Sequence, residues 1–105
     1  MGPPPAPPAP VLLSPDGPIT TATPTYQWNA VPGATSYRLE VGHGGPVIIR
    51  EMTAAEAGCA TGTGICQITL PNPVIGSAVW WLQARNAGGS GPWSSKAFQA
   101  ATAMS

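Results

Sequence analysis

The residues able to do acid–base or nucleophilic chemistry are few and scattered. The carboxylates are Asp16, Glu40, Glu51 and Glu56. Asp16 falls in a Pro-Asp-Gly-Pro turn, Glu40 on the outward side of an alternating stretch, and Glu56 three residues after Thr53, at capping-box spacing. No two have a spacing that suggests the paired acids of a glycosidase. His43, the only histidine, sits in Gly42-His43-Gly44-Gly45. The string looks like an esterase oxyanion-hole loop, but no Gly-x-Ser-x-Gly accompanies it, so it reads as a flexible turn. Gly62-Thr63-Gly64 lacks the lysine and following helix of a phosphate loop. Cys59 and Cys66 lie across a glycine-rich loop and, with one histidine, are too few for zinc. They read as a disulfide, or else as two free thiols in a reducing compartment. The expectation is no catalytic centre, no metal and no cofactor.

Binding chemistry is better represented, and it begins at Val79–Asn86 (VWWLQARN). This is a run of strand formers ended by the turn signal Asn86-Ala87-Gly88-Gly89. Strand side chains alternate, so Ala78, Trp80, Leu82 and Ala84 share one face and Val79, Trp81, Gln83 and Arg85 the other. The first face reads as core. The second carries one tryptophan among polar groups and reads as solvent-facing.

The elements that must position this strand follow from the rest of the chain. With 105 residues there is room for one domain. Only 8% of residues are charged and the formal net charge is zero, which argues against a nucleic-acid or anionic-membrane partner. No apolar run is long enough to span a bilayer, and no secretory signal is visible. Residues 1–10 form a proline-rich linker with six of the fourteen prolines; it favours extended polyproline II and reads as a semi-rigid tether. Val11–Ser14 predicts a first edge strand. Thr25–Asn29, Ser36–Val41, Val47–Met52, Cys66–Leu70, Val79–Arg85 and Trp93–Ala100 predict six more, with a single helical turn at Thr53–Glu56. Residues 101–105 read as a flexible tail. Seven short strands separated by turns describe an all-β, seven-stranded antiparallel sandwich over residues 11–100. Its expected core is Tyr26, Trp28, Tyr37, Leu39, Val41, Ile68, Leu70, Trp80, Leu82 and Phe98. The last strand has a parity conflict: if Phe98 faces inward, so does Lys96, unless the strand starts late or carries a bulge, which predicts irregularity near Ser94–Lys96.

Tyr26-Gln27-Trp28, Val31-Pro32-Gly33-Ala34-Thr35-Ser36-Tyr37-Arg38-Leu39, Trp80-Trp81-Leu82-Gln83-Ala84-Arg85-Asn86 and Gly91-Pro92-Trp93-Ser94 together resemble a fibronectin type III-like domain of the bacterial extracellular kind, an immunoglobulin-like sandwich. The resemblance covers about residues 11–100. Similar domains carry a cysteine pair in the segment matching Cys59 to Cys66, which favours the disulfide. One departure is Ala78, where many members place the tyrosine of the tyrosine corner; the resemblance implies that this bond is absent and that the Leu70–Ala78 connection is looser.

The resemblance further implies that the strand holding Arg38 pairs with the strand holding Trp81, the last strand lying beyond. Arg38, Glu40, Trp81, Gln83 and Arg85 then form one surface with Trp93 at its edge. An exposed indole beside hydrogen-bonding groups suits a sugar ring. The same residues could instead form a structural cation–π ladder, Arg38 or Arg85 against Trp81 and Trp93, or contact a protein. The expected function is a non-catalytic accessory module of a larger secreted or surface bacterial protein, one acting on polysaccharide. The alternatives are a carbohydrate-binding module and an adhesion or assembly domain. The expected partners are neighbouring domains and polysaccharide, with no nucleic acid and no membrane insertion. The isolated domain is expected to be a monomer, in a secreted, extracellular or periplasmic setting.

Overall fold

The protein is described by a computed structural model over residues 5–100; the first four residues of the proline run and the 101–105 tail lie outside the described residues. The chain forms an all-β sandwich of eight strands: β1 (Leu12–Ser14), β2 (Gly17–Ile19), β3 (Thr25–Asn29), β4 (Ser36–Gly42), β5 (Ile48–Thr53), β6 (Ile65–Thr69), β7 (Ser77–Asn86) and β8 (Gly89–Ala100). One sheet has the order β1-β3-β6, the other β2-β8-β7-β4-β5.

The eighth strand corrects the expected count of seven and the expectation of purely antiparallel pairing. The Pro15-Asp16-Gly17-Pro18 segment does more than turn. β1 pairs with β3 before it, and after it the chain crosses to the other sheet, where β2 runs parallel to the end of β8. Proline at 15 and 18 and glycine at 17, with its φ of 68°, suit a break in the ladder.

The core faces read from alternation. Tyr26 and Trp28 of β3, Tyr37, Leu39 and Val41 of β4, Trp80 and Leu82 of β7 and Phe98 of β8 are buried between the sheets, with Leu70 beside them and Ile68 partly covered. Tyr26 meets Trp80 edge-on at 5.3 Å between centroids, and Trp28 meets Tyr37 at 5.2 Å, the tilted contacts that aromatic quadrupoles favour. The indole of Trp80 donates to Pro15 O at 3.1 Å, which ties the sheet crossing to the core.

Two local elements follow the sequence closely. The Thr53–Glu56 capping box closes in both directions: Glu56 N–H donates to Thr53 Oγ1 (3.0 Å) and Thr53 N–H to Glu56 Oε1 (2.8 Å). Cys59 and Cys66 are joined in a disulfide, both buried. The Tyr37 hydroxyl accepts Val31 N–H at 3.0 Å and lies 3.7 Å from Cys66 Sγ, an oxidised sulfur that can only accept.

Three expectations are corrected. The Leu70–Ala78 connection is not loose. Val74 is buried and its N–H donates to Ala22 O at 2.7 Å. His43 Nδ1 accepts N–H bonds from both Ile75 (3.0 Å) and Gly45 (3.1 Å), while Nε2 meets Pro46 O at 2.9 Å. His43 is a clamp, not part of a flexible turn. The irregularity expected near Ser94–Lys96 is also absent. Pairing runs evenly from Ser77↔Gln99 to Gln83↔Trp93, and the register shifts between Gln83 and Arg85, opposite Gly91-Pro92. Lys96 does point inward, opposite Trp80. It lies on a stretch of β8 with no outer neighbour strand, so its ammonium reaches the rim and meets Asp16 Oδ2 at 3.3 Å.

Candidate binding face

The outer side of the five-stranded sheet carries the sequence-predicted residues. Cross-strand register sets them in rows over β5, β4, β7 and β8. One row is Glu51, Arg38, Gln83 and Trp93; the next is Ile49, Glu40, Trp81 and Ser95; beyond it Gly42 stands opposite Val79, and Val79 opposite Ala97. Arg38, Glu40, Trp81, Gln83, Arg85 and Trp93 thus share one surface, though they do not act as one group.

One end is charged and internally satisfied. Arg38 Nε donates to Glu40 Oε2 at 2.8 Å, and its Nη1 to Glu51 Oε2. Arg85 Nη1 lies 3.4 Å from the same Glu51 oxygen, and its Nε donates to Gln83 Oε1 at 3.2 Å. The hydrogen bond from Arg38, and then the charge of Arg85, hold the Glu51 carboxyl below its usual range; the hydrogen bonds to Glu40 and then Glu51 raise Arg38 above the ordinary guanidinium value. Among the described residues each of the four acids has a partner: Asp16 with Lys96, Glu40 with Arg38, Glu51 with both arginines, and Glu56 in its cap. No three His, Cys, Asp or Glu of the described residues are grouped to hold a metal ion.

Two expectations fail here. Gln83 is not an exposed sugar donor: it is only 8% exposed. Its row neighbours Arg38 and Trp93 and its strand neighbours Trp81 and Arg85 are all longer than it is. Its amide is used at both ends, Nε2 donating to Gly91 O at 2.9 Å. A cation–π ladder is absent among the described residues, because Glu40 and Glu51 draw both guanidinium groups away from the indoles.

The other end is apolar and exposed. Trp81 is 37% exposed and Trp93 41%, with Ile49 at 54% and Val47, just before β5, at 63%. The six-membered ring of Trp81 lies over Gly42, whose missing side chain leaves the room: a Cβ there would stand 3.3 Å from Cζ3. Two depressions flank this indole. One of about 530 Å³ is bordered by His43, Ser77, Val79, Gln99 and Asp16; the other, of about 430 Å³, by Glu40 and Trp93. The outer side of the three-stranded sheet differs. It carries no exposed indole among the described residues: Thr25 Oγ1 lies 2.6 Å from Thr69 Oγ1, Gln27 Nε2 donates to Gln67 Oε1 at 3.0 Å, and Ile65 is exposed in the next row, opposite Asn29.

Sequence reasoning missed the part played by residues 5–10. Read as a tether, they lie along the start of β8: Asn86 Nδ2 donates to Pro5 O at 2.9 Å, Ser94 Oγ to Pro10 O, and Pro7 and Pro10 are buried. Gly91 falls inside β8, where a glycine marks close backbone approach, but the sequence reading began that strand only at Trp93.

The two-sheet arrangement, with a three-stranded and a larger sheet exchanging the N-terminal strand, decides the fold. It is a fibronectin type III/immunoglobulin-like sandwich. Solved structures agree. CopC from Methylosinus trichosporium OB3b matches with a TM-score of 0.59 at 12% identity, over 91% of this chain and 97% of that one. The chicken CNTN1 FN1-FN3 domains match with a TM-score of 0.55 at 19% identity, over 93% of this chain. The chain spans only 34% of that multidomain structure. No family model and no curated protein matches the sequence.

Proposed function

We propose that the chain is a non-catalytic accessory module of a larger bacterial extracytoplasmic protein that acts on polysaccharide, and that its working surface is the outer face of β5-β4-β7-β8. The observation that carries this is the contrast between the sandwich's two outer sides. Both sides expose aliphatic side chains, Ile65 on the three-stranded sheet and Ile49 on the other, but only the five-stranded side leaves two indoles, Trp81 and Trp93, in water on adjacent strands, and paired exposed aromatics are not the scattered single exposure that needs no explanation. The disulfide supports an oxidising compartment. The mechanism is positional: the module sets spacing and raises the effective concentration of an attached domain near its substrate.

The test is deletion of residues 11–100 from the parent protein. Turnover of an insoluble polysaccharide should fall several-fold while turnover of a soluble substrate stays unchanged. Equal loss on both substrates, or hydrolysis of either by the isolated module, contradicts the proposal. A second reading, an assembly domain docking a protein, draws on Ile49 and Val47, which lie at or beside the edge strand β5 where another chain can add.

A further inference from the structure

The geometry points to a neutral polysaccharide strand as the ligand of this face, bound in the groove that passes on both sides of Trp81 and away from the arginine end. The inference rests on the working-surface reading above and names its ligand.

Shape comes first. The two depressions beside Trp81, about 530 and 430 Å³, each fall in the range of roughly 300–1,000 Å³ usual for small-ligand sites. Both border the same indole, so a ligand long enough to occupy both must pass over it. That describes a chain of rings better than a single small molecule. The indole lies over Gly42, which leaves it room, and Trp93 stands on the neighbouring strand, diagonal to Trp81.

Charge selects the class. Both arginines of this face are turned to Glu40 and Glu51, and Lys96 points inward to Asp16. Among the described residues no cation borders either depression, while carboxylates stand at both, Asp16 at one and Glu40 at the other. Each of these carboxylates is balanced by its own cation, Asp16 by Lys96 and Glu40 by Arg38, so neither depression offers an anionic polymer an unpaired positive charge. A polyhydroxylated neutral chain meets carboxylate acceptors and the uncharged side chains of Ser77 and Gln99, both exposed, with the C–H faces of its rings against the indole. His43 contributes shape only, since both its ring nitrogens are held by backbone groups.

The test is affinity electrophoresis of the whole chain through gels containing hydroxyethyl cellulose, galactomannan or xyloglucan, with polygalacturonate as the acidic counterpart. Retardation is expected in at least one neutral gel and not in polygalacturonate. Trp81→Ala should weaken it at least five-fold and Gln99→Ala at least two-fold, each variant melting like the wild type. Gln67→Ala, on the outer side of the three-stranded sheet, should leave it unchanged. No retardation in any neutral gel, equal retardation in the acidic gel, or retardation that survives Trp81→Ala overturns the inference. Sedimentation with the parent protein's flanking domain separates the two levels. If the gels fail but a complex forms that Ile49→Lys and Trp81→Ala both break, the ligand class falls and the working face stands. If neither glycan nor flanking domain binds, the working face falls as well.

Discussion

Gly42 lies beneath the indole of Trp81, and Gly91 lies against the carbonyl of Pro7; both glycines leave room for a neighbour, but the neighbours differ in how they can yield. A Cβ on Gly42 would meet a half-exposed ring at 3.3 Å, whereas one on Gly91 would meet Pro7 O at 1.9 Å and Pro7 C at 3.0 Å. Gly42→Ala is therefore expected to be neutral or stabilising by up to about 1 kcal/mol, because the ring can swing and a strand glycine is entropically costly. Gly91→Ala should lift residues 5–10 off β8 at a cost of about 1–2 kcal/mol. Urea unfolding gives the energies. Proteolysis near Pro7, accelerated in the second variant alone, reports the detachment.

Tyr26 carries a hydroxyl with no hydrogen-bond partner among the described residues, and burial pushes its pKa up to about 12. The fold thus holds the phenol proton more tightly than the unfolded chain does. Stability is complete below about pH 10, the value for free tyrosine, and falls as the pH rises from there toward 12. Tyr26→Phe should abolish that alkaline loss and leave neutral-pH stability unchanged or slightly higher, since it removes an unpaired buried group. Thermal melts between pH 8 and 12 measure both.

Glu51 accepts from Arg38 and lies beside Arg85, and its carboxyl titrates below the usual range. A lowered acid contributes above its unfolded value and loses that contribution as the pH falls through the folded one. The wild-type advantage over Glu51→Gln should be small, since exposed pairs contribute little, present at pH 7, and lost in acid as the carboxyl protonates. It should also shrink in 1 M salt. An advantage that survives acid would contradict the pairing.

The disulfide closes a short ring, and on loop entropy its reduction should cost about 2.5 kcal/mol. Reduced protein is expected to melt lower yet remain folded at room temperature by circular dichroism. Two thiols that label readily in native, unreduced protein would contradict it.

What could be read from the sequence had a local cause. The split of Trp80 from Trp81 follows from the pleat alone, and the Thr53–Glu56 cap from two residues at fixed spacing. What could not be read depends on distant chain. Gln83 has an outward register but is buried by its row neighbours and by Gly91, in a bulge opposite Ala84. Lys96 keeps inward parity because Asp16, eighty residues earlier, lies at the rim to receive it. The arginines turn from the indoles because Glu51, on another strand, competes for them. The missing corner tyrosine is offset by His43, whose two acceptor bonds to backbone could not be foreseen from a glycine-rich turn.

The account depends most on adjacent tryptophans having opposite duties, and parallel urea denaturation of Trp80→Ala and Trp81→Ala tests this most directly. Trp80 is buried against Tyr26 and bonded to Pro15, so its loss should cost about 3–5 kcal/mol or prevent folding. Loss of Trp81 should change stability by less than about 1 kcal/mol. Comparable losses at both positions, or a larger one at Trp81, would contradict the division between a residue that holds the sandwich together and one left outside to bind.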